Sequence, residues 1–482
     1  MNEEQKRIDE NYSGKKNWLK WGPYLSERQW GTVREDYSAN GDAWNYISHD
    51  MARSKAYRWG EESIAGFCDD QQNLCIGLAL WNGKDPILKE RLFGLTNGEG
   101  NHGEDVKELY YYVDATPSHS YQKMLYKYPQ AAFPYEQLIE ENRKRTKTEA
   151  EFELIDTGLF DNDSYFDVFV EYAKNEVDDI LASYTIHNRS KQDAALHVLP
   201  QLWYRNTWVW NGDSIAPLIT YEGNNAMLLH AENQPDFYCY VDGSPTFLFT
   251  ENETNNQKLY KAANRTDFTK DGINDYVVNG NSNAVNKHNE GTKVAAWYQL
   301  NIAAAASVQV KLRLVNKKIN CPFQEFDNIM SARVAEANKF YEDKQLHLAN
   351  EDEKLVQRQA WAGMLWSKQF YSYNINQWLT GDANQPAPPT GHANSRNRRW
   401  KHFIADNIIS MPDKWEYPWF AAWDLAFHCI AFTSIDPDFA KGQLRLLVKE
   451  NFMHPSGQLP AYEWDFNECK SSCSCTCRLA GF

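Results

Sequence analysis

Apolar and polar residues alternate along much of the first two thirds of the chain. Between residues 308 and 314, four aliphatic side chains alternate with three polar ones. This period of two places one face of a strand against a core and the other face in water. Aromatic-rich runs at 165–172 and 196–204 extend the pattern, with turn residues between them. Residues 60–316 therefore predict a large antiparallel β-sandwich.

One pair of these runs carries a hairpin signal. The strand-like segments Phe237–Tyr240 and Thr246–Thr250 flank Asp242-Gly243, a dipeptide typical of hairpin turns. Ser244-Pro245 lengthens the loop. We expect the two segments to be neighbouring antiparallel strands.

After Asn316 the apolar spacing changes to three and four residues. This spacing predicts one helix over 323–346 and another over 353–379, with capping residues at 349–352 between them. The predicted organisation has four parts, namely a β-sandwich at 1–316, a helical linker at 317–351, an α-helical domain at 352–468 and a cysteine-rich tail at 469–482.

Composition and charge narrow the classes of function. The chain has 482 residues, a net charge of −15 and 42% hydrophobic residues, which fit a folded, multidomain protein. The negative charge argues against nucleic acid as a partner. No apolar run approaches the ~18 residues that span a bilayer, and the first twenty residues are polar. We therefore expect a soluble, cytoplasmic chain with no membrane contact.

Motifs that suggest a metal or a nucleotide fail on closer reading. The tail contains Cys469, Cys473, Cys475 and Cys477, but their spacing is not the C-x2-C of structural zinc and no His lies nearby. A G-x-G-x-x-G match at 98–103 is followed at once by two acidic residues, where a pyrophosphate would have to bind. The sequence predicts no metal and no cofactor.

The richest segment for chemistry is 406–428. Pro418 suits the first turn of a helix, so a helix is predicted over 419–432. This helix is apolar except for Asp424, which lies among four aromatic residues. A carboxyl desolvated by aromatic walls has a raised pKa and can act as a general acid near neutral pH. The alternative is a structural carboxylate that pairs with a nearby Arg or Lys or caps a neighbouring helix.

The run Met411-Pro-Asp-Lys-Trp-Glu-Tyr-Pro-Trp-Phe-Ala-Ala-Trp-Asp-Leu-Ala-Phe-His428 resembles the acid-bearing motif of glycoside hydrolase family 63. That family comprises the processing α-glucosidases of N-glycan trimming and their bacterial and fungal relatives. Segments 21–36 and 101–108 are similar to the N-terminal region of its large members. The resemblance covers roughly residues 15–468.

The resemblance implies a fold and a reaction. It implies a β-sandwich packed against an (α/α)6 toroid, and inverting hydrolysis of α-glucosidic or related bonds in an oligosaccharide substrate. Asp424 would be the general acid, and a Glu about 6.5–9.5 Å away would be the base. In related enzymes that Glu lies far downstream, at a position that this chain does not reach.

Helix count leads to a further expectation. A toroid has twelve helices, whereas residues 352–482 can supply about four or five. We therefore expect a C-terminally truncated and inactive glycosidase that contains only the first part of the toroid. Apolar helix faces that lack their neighbours would promote self-association.

Other side chains are candidates for substrate contact. Gly381–Arg399 is predicted to be a long functional loop. Residues that border it and are candidate substrate contacts are Trp378, Asp382, Arg396, Asn397, Trp400 and His402. Trp415, Trp419 and Trp423 are interpreted either as stacking platforms or as core. His428 lies one helical turn after Asp424 and is expected to orient it, while Glu463 is expected to bind sugar hydroxyls and is the remaining candidate base.

Two further readings stay open. A disaccharide phosphorylase needs only one carboxylic acid, because inorganic phosphate attacks the sugar in place of an activated water. A carbohydrate-binding remnant without catalysis needs none.

Overall fold

The computed structural model describes residues 2–103, 105–210, 214–382 and 386–468. These residues form nineteen strands and eleven α-helices. In chain order the strands are β1 (Trp21–Gly22), β2 (Ile64–Asp69), β3 (Leu74–Trp81), β4 (Gly94–Leu95), β5 (Asp105–Val106), β6 (Leu109–Ala115), β7 (Tyr121–Pro129), β8 (Tyr165–Glu176), β9 (Asp179–Asn188), β10 (Ala194–Tyr204), β11 (Leu218–Gly223), β12 (Ala226–His230), β13 (Phe237–Val241), β14 (Thr246–Thr250), β15 (Glu290–Gly291), β16 (Lys293–Ile302), β17 (Ser307–Val315), β18 (Lys368–Asn374) and β19 (Ile404–Ser410).

The helices are distributed along the whole chain. They are α1 (Glu3–Tyr12), α2 (Ala43–Tyr46), α3 (His49–Ala52), α4 (Tyr135–Lys144), α5 (Asn256–Tyr260), α6 (Gly272–Asn279), α7 (Phe326–Lys344), α8 (Glu351–Trp366), α9 (Ile375–Thr380), α10 (Ala422–Phe432) and α11 (Pro437–Leu447).

Two large antiparallel sheets face each other. One has the strand order β1-β2-β3-β10-β16-β14, and the other has the order β15-β11-β12-β13-β17-β9-β8-β7-β6. Phe67 of the first sheet stacks on Tyr172 of the second, with ring centroids 4.6 Å apart. The Tyr172 hydroxyl also donates to the Ala65 carbonyl at 2.8 Å. The sheets thus share one core, which confirms the predicted sandwich.

The predicted alternation at 308–314 is confirmed in β17. Val310, Leu312 and Leu314 are buried at 2% exposure or less. Arg313, on the opposite face, is also buried, because its guanidinium pairs with Asp179 at 2.6 Å. A paired charge can occupy a position that the alternation assigns to water.

The predicted hairpin at 237–250 is wrong. β13 belongs to the nine-stranded sheet, where it pairs with β12 and β17, whereas β14 pairs with β16 in the six-stranded sheet. The Asp242-Gly243 turn therefore carries the chain from one sheet to the other. Local turn chemistry reverses the chain direction but does not decide which strand becomes the neighbour.

The first of the two long predicted helices is present as α7. The second is correct only in its first half: α8 ends at Trp366, and residues 368–374 form β18. This strand pairs with β19 from Lys368↔Ser410 to Asn374↔Ile404. Asn350 caps α8 as expected, since its side-chain oxygen accepts from the Asp352 backbone N–H at 2.9 Å.

α8 packs directly on the sandwich. The Arg358 guanidinium forms an ion pair with Asp114 of β6, and Trp366 stacks on Tyr112 at 5.2 Å. One hydrophobic cluster extends from Ile8 to Phe466 and includes both sheets and the helical part. The large sheets and the helical part therefore form one continuous core, and the toroid and the domain limits stay predictions.

In the described part of the chain, no helix combines the length and the apolar character that a bilayer crossing requires. The cysteine-rich tail at 469–482 lies outside the described residues.

Candidate active site

Asp424 lies in the first turn of α10 and is half-buried. The positive end of a helix dipole favours a carboxylate at this position. Two aromatic residues on the same helix are open to solvent: Trp423 is 43% exposed and Phe427 is 53% exposed. Their rings meet edge to face with centroids 6.3 Å apart. Asp424 thus lies beside an open aromatic surface that does not shut it off from water.

α10 begins three residues later than the sequence predicts, so Pro418 lies outside it. The preceding residues are held in an extended conformation by a second segment. The Glu463 backbone N–H donates to the Phe420 carbonyl at 2.9 Å, and the Ala422 N–H donates to Ala461 at 2.8 Å. These contacts between distant segments place Asp424 in the first turn.

His428 lies one turn after Asp424 and is partly buried. Its Nδ1 hydrogen-bonds the Ser410 hydroxyl of β19 at 2.7 Å. Burial lowers the pKa of the His428 imidazole below its ordinary value of 6.5. The ring is therefore mostly neutral at pH 7, and its predicted role in orienting Asp424 stays a prediction.

Three tryptophans, Trp44, Trp419 and Trp464, form a compact group that we call the tryptophan cluster. Trp44 stacks on Trp464 at 5.0 Å, and Trp419 meets both rings edge to face at 5.9 and 5.6 Å. Tyr417, 41% exposed, packs on Trp419. The Arg396 guanidinium lies 5.0 Å from the Trp464 ring centre. Aromatic faces with a cation beside them are suited to flat or hydroxylated ligands.

Glu463 is completely buried, and its carboxylate pairs with Arg34 at 3.0 Å. Burial raises the pKa of the Glu463 carboxyl, and the Arg34 charge and hydrogen bond oppose this shift. The other two guanidinium nitrogens of Arg34 donate to the Pro418 carbonyl at 2.6 Å and to the Trp59 carbonyl at 3.3 Å. In this arrangement Glu463 has no exposed surface with which to contact a sugar or a water nucleophile.

The Arg34–Glu463 pair instead supports the segment that leads into α10. The Phe420 N–H donates to Glu463 Oε2 at 3.4 Å. Asn397 donates to the Glu463 carbonyl at 2.5 Å and accepts from the Phe466 N–H at 2.9 Å. Glu463 and Asn397 therefore position the backbone around Phe420, four residues before Asp424.

Three of the predicted substrate contacts are core residues in this structure. Trp378, Trp400 and Trp415 are at most 1% exposed. Trp378 packs on His392 at 4.2 Å, and Trp415 packs on Trp30 at 5.4 Å. Their large apolar surfaces contribute to packing here, and their contact with a substrate stays a prediction.

His402 and Arg396 lie at the edge of this core. Trp400 donates to Asn467 at 3.1 Å and stacks on the partly buried His402 at 5.6 Å. Burial lowers the pKa of the His402 imidazole. Arg396 donates to the Gly41 carbonyl at 2.6 Å. Each of these side chains joins distant segments of the chain.

Asp382 lines a cavity of about 300 Å³ whose wall also includes Gly381, Pro386 and Pro389. Its carboxylate pairs with Arg58 at 2.7 Å. The Arg58 guanidinium in turn lies 3.5 Å from the ring centre of Trp210. Asp382 is thus a predicted substrate contact that lines a ligand-sized cavity.

Sequence reasoning missed Arg34, Trp44 and Arg58. Each comes from the first sixty residues and meets a partner several hundred residues later. The 14% aromatic content signals such clusters in general but carries no information on which rings meet.

One group of carboxylates in the described residues has the spacing of a metal site, namely Asp105, Glu151 and Glu153. The Lys107 ammonium pairs with all three. Burial and the neighbouring Glu151 raise the pKa of the Asp105 carboxyl to about 7. The lysine charge accounts for this cluster without an ion.

Comparison with known proteins identifies one extensive sequence relative. The chain is 45% identical over 513 aligned positions to the uncharacterized protein YMR196W of Saccharomyces cerevisiae, covering 96% of this chain and 47% of the yeast protein. The chain thus spans about half the length of this curated relative. No family model matches.

Solved structures give only remote likenesses. A polysaccharide lyase matches with a TM-score of 0.24 and 10% identity, covering 56% of this chain and 28% of the lyase. A provisionally named kojibiose phosphorylase from the human microbiome matches with a TM-score of 0.22 and 8% identity, covering 63% of this chain and 36% of that protein. Scores this low carry no inference about function.

Proposed function

We propose that this chain carries the general acid of an inverting glycosidase that hydrolyses α-glucosidic or related bonds in oligosaccharides. The observation that carries the proposal is the half-buried Asp424 in the first turn of α10, beside the exposed rings of Trp423 and Phe427. A sugar ring can stack on such faces while a carboxyl approaches its glycosidic oxygen.

In this mechanism the Asp424 carboxyl donates its proton to the glycosidic oxygen as the bond to the anomeric carbon breaks. A water molecule attacks that carbon from the opposite face, and a second carboxylate accepts a proton from the water. The product then has the inverted anomeric configuration. We place water activation on a carboxylate other than Glu463, because Glu463 is buried and paired with Arg34.

An Asp424→Asn variant tests the role of the acid. Turnover of maltooligosaccharides by the wild-type chain would contradict the expected inactivity, and the variant should lower that turnover about 10²–10⁴-fold, since the amide has no acidic proton to donate. Against α-glucosyl fluoride the loss should be much smaller, because fluoride leaves with little assistance from an acid. Proton NMR of the first product formed reports the anomer, and Asp438→Asn, at an exposed position of α11, is the matched control.

Three outcomes separate the alternatives. An equal loss of turnover on maltooligosaccharides and on α-glucosyl fluoride would contradict a general-acid role for Asp424. Release of glucose 1-phosphate that depends on added inorganic phosphate would identify a phosphorylase. The wild type and Asp424→Asn could also bind oligosaccharide equally in calorimetry without turnover by either protein. That result would favour a carbohydrate-binding protein and reject the catalytic proposal.

The expected self-association also stays a prediction. Trp423, Phe427 and Ile430 are exposed at 40% or more and recur at helical spacing on α10. Light scattering of the purified chain measures it directly, and a monodisperse monomer would contradict it.

A further inference from the structure

The helix α10 is apolar on almost every side, and Asp424 and His428 are its only hydrophilic side chains. The inner side of the helix is buried and consists of Leu425, Ala426, Cys429 and Phe432. Phe432 packs edge to face on Phe439 of α11, with ring centroids 5.0 Å apart. A helix that is apolar around its circumference normally lies in a protein interior. The contacts of the inner side account for only one side of α10.

The outer side of α10 carries three large apolar side chains, Trp423, Phe427 and Ile430, which we call the outer row. Their exposed fractions are 43%, 53% and 40%. Spacings of four and three residues place them on one face of the helix. Single exposed apolar side chains are common at protein surfaces, whereas a contiguous row is typical of a surface that contacts another protein segment.

Exposed apolar side chains are concentrated in the same part of the molecule. Among the described residues, fifteen large apolar side chains are exposed, and nine of them lie beyond residue 345. That part contains far fewer than half of the described residues. The sandwich therefore covers its apolar surface well, whereas the C-terminal helical part leaves much of its apolar surface in contact with water.

The yeast relative contains the polypeptide that could cover this surface. The alignment covers 96% of this chain, so only the ends are left out and α10 lies within it. It covers 47% of the yeast protein, which therefore has about as much polypeptide again outside the aligned region. The relative thus shares the α10 segment and has a second half of similar length.

We infer that the outer row binds a helix of the polypeptide that forms the unaligned half of proteins such as the yeast relative. Side chains four residues apart form a ridge that fits the groove of a second helix. Apolar anchors at positions i, i+4 and i+7 are a common pattern of contact between a helix and an apolar surface. The partner helix should therefore present an apolar stripe. This inference does not use the catalytic role of Asp424, and its test measures no turnover.

Cysteine labelling compares this chain with the full-length yeast relative. Phe427→Cys and Ile155→Cys are made in this chain, and the aligned residues are changed to Cys in the yeast protein. Ile155 is the matched control, because it is a large apolar residue in the sandwich region and is 61% exposed. Each dilute protein is treated with a maleimide, and peptide mass spectrometry reports the reaction rate at each introduced thiol.

In this chain both positions should react at similar rates. In the yeast protein, the position aligned with Phe427 should react about tenfold more slowly than the position aligned with Ile155, because a covered thiol reacts only when the contact opens. Equal rates at the two positions of the yeast protein would overturn the inference.

Two other outcomes would identify a different occupant and would also overturn the inference. Slow labelling of Phe427→Cys in this chain, in samples that light scattering shows to be monomeric, would mean that its own residues cover α10. Slow labelling in the yeast protein only in samples that are dimeric would mean that a second copy covers it.

A second measurement uses thermal stability. Phe427→Ser in this chain should leave the melting temperature unchanged, because more than half of the side chain is already in water. The aligned change in the yeast protein should lower the melting temperature, because it removes apolar surface from a packed contact. The same small effect in both proteins would contradict a covered α10.

Discussion

Arg34 and Arg53 both come from the N-terminal part of the chain, but their surroundings differ. Arg34 uses all three of its guanidinium nitrogens, on Glu463, Trp59 and Pro418. Arg53 uses one nitrogen, on an exposed aspartate, and the other two are buried without partners among the described residues.

The difference separates two uses of a buried charge. A fully paired guanidinium stabilises one arrangement of the backbone, and Arg34 thereby joins the first forty residues to the segment around Phe420 and Glu463. An incompletely paired guanidinium costs stability and gains from a ligand that supplies the missing acceptors. By this criterion the Arg34 site is structural.

The largest expected effect comes from breaking the Arg34 pair. Arg34→Met leaves the Glu463 carboxylate buried and unpaired, so we expect the free energy of unfolding to fall by about 3–5 kcal/mol. Denaturant titration measures this change. Arg53→Met should cost less than about 1 kcal/mol, because its partner Asp50 is largely exposed.

A double variant, Arg34→Met with Glu463→Leu, tests whether the unpaired Glu463 charge causes the loss of stability. Removing both charges leaves no buried ion of this pair. The free energy of unfolding should therefore fall by less than it falls in Arg34→Met alone. Similar losses from Arg34→Met and Arg53→Met would contradict the distinction between the two arginines.

Glu27 is an intermediate case and gives the next largest effect. It is fully buried, it accepts from Tyr112 at 3.4 Å, and its other oxygen has no partner among the described residues. Burial raises the pKa of Glu27 from 4.5 to about 7, and the charge of Lys414 opposes the shift. Since the folded pKa is the higher one, the stability linked to Glu27 is fully present below pH 4.5 and is lost as the pH rises through 7.

The size of this loss is at most about 3 kcal/mol, from 1.36 kcal/mol per pKa unit. Unfolding free energies of the wild type and Glu27→Gln, measured between pH 4.5 and 8, test it. The variant should lack this decline and should be the more stable protein at pH 8. Parallel curves for the two proteins would show that Glu27 does not titrate in this range.

The smallest expected effect is at Thr96. Its hydroxyl has no partner among the described residues, so Thr96→Val removes an unsatisfied buried group and should not lower the free energy of unfolding. Tyr172→Phe, which breaks a buried hydrogen bond, should cost about 1 kcal/mol. A loss at Thr96 as large as that at Tyr172 would mean that the Thr96 hydroxyl is satisfied in the free protein.

Elements with a strong local period were predictable. The alternation in β17 and the helical spacing in α7 each reflect one face turned to the core, and short segments show this directly. The strand β18 was not predictable in the same way. Its run from Lys368 to Asn374 continues an apolar helical pattern, and only pairing with β19, at least thirty residues away, favours the extended form.

The candidate site divides in the same manner. The segment around Asp424 was visible as a lone acid among aromatic residues, and the structure places that acid half-buried at a helix start. Its catalytic role stays a prediction. Glu463 was visible as a carboxylate between two aromatic residues, but its burial depends on Arg34, which lies 429 residues earlier in the chain. No local pattern carries that information.

The sequence by itself determined the sandwich, the change to helices after Asn316 and the location of the acid-bearing segment, because periodicity and composition act over a few neighbouring residues. Only the tertiary structure decided which strands pair across the Asp242-Gly243 turn, where α10 begins, and which buried charges find partners. Those outcomes depend on contacts between residues that lie tens to hundreds of positions apart, and no local pattern records such contacts.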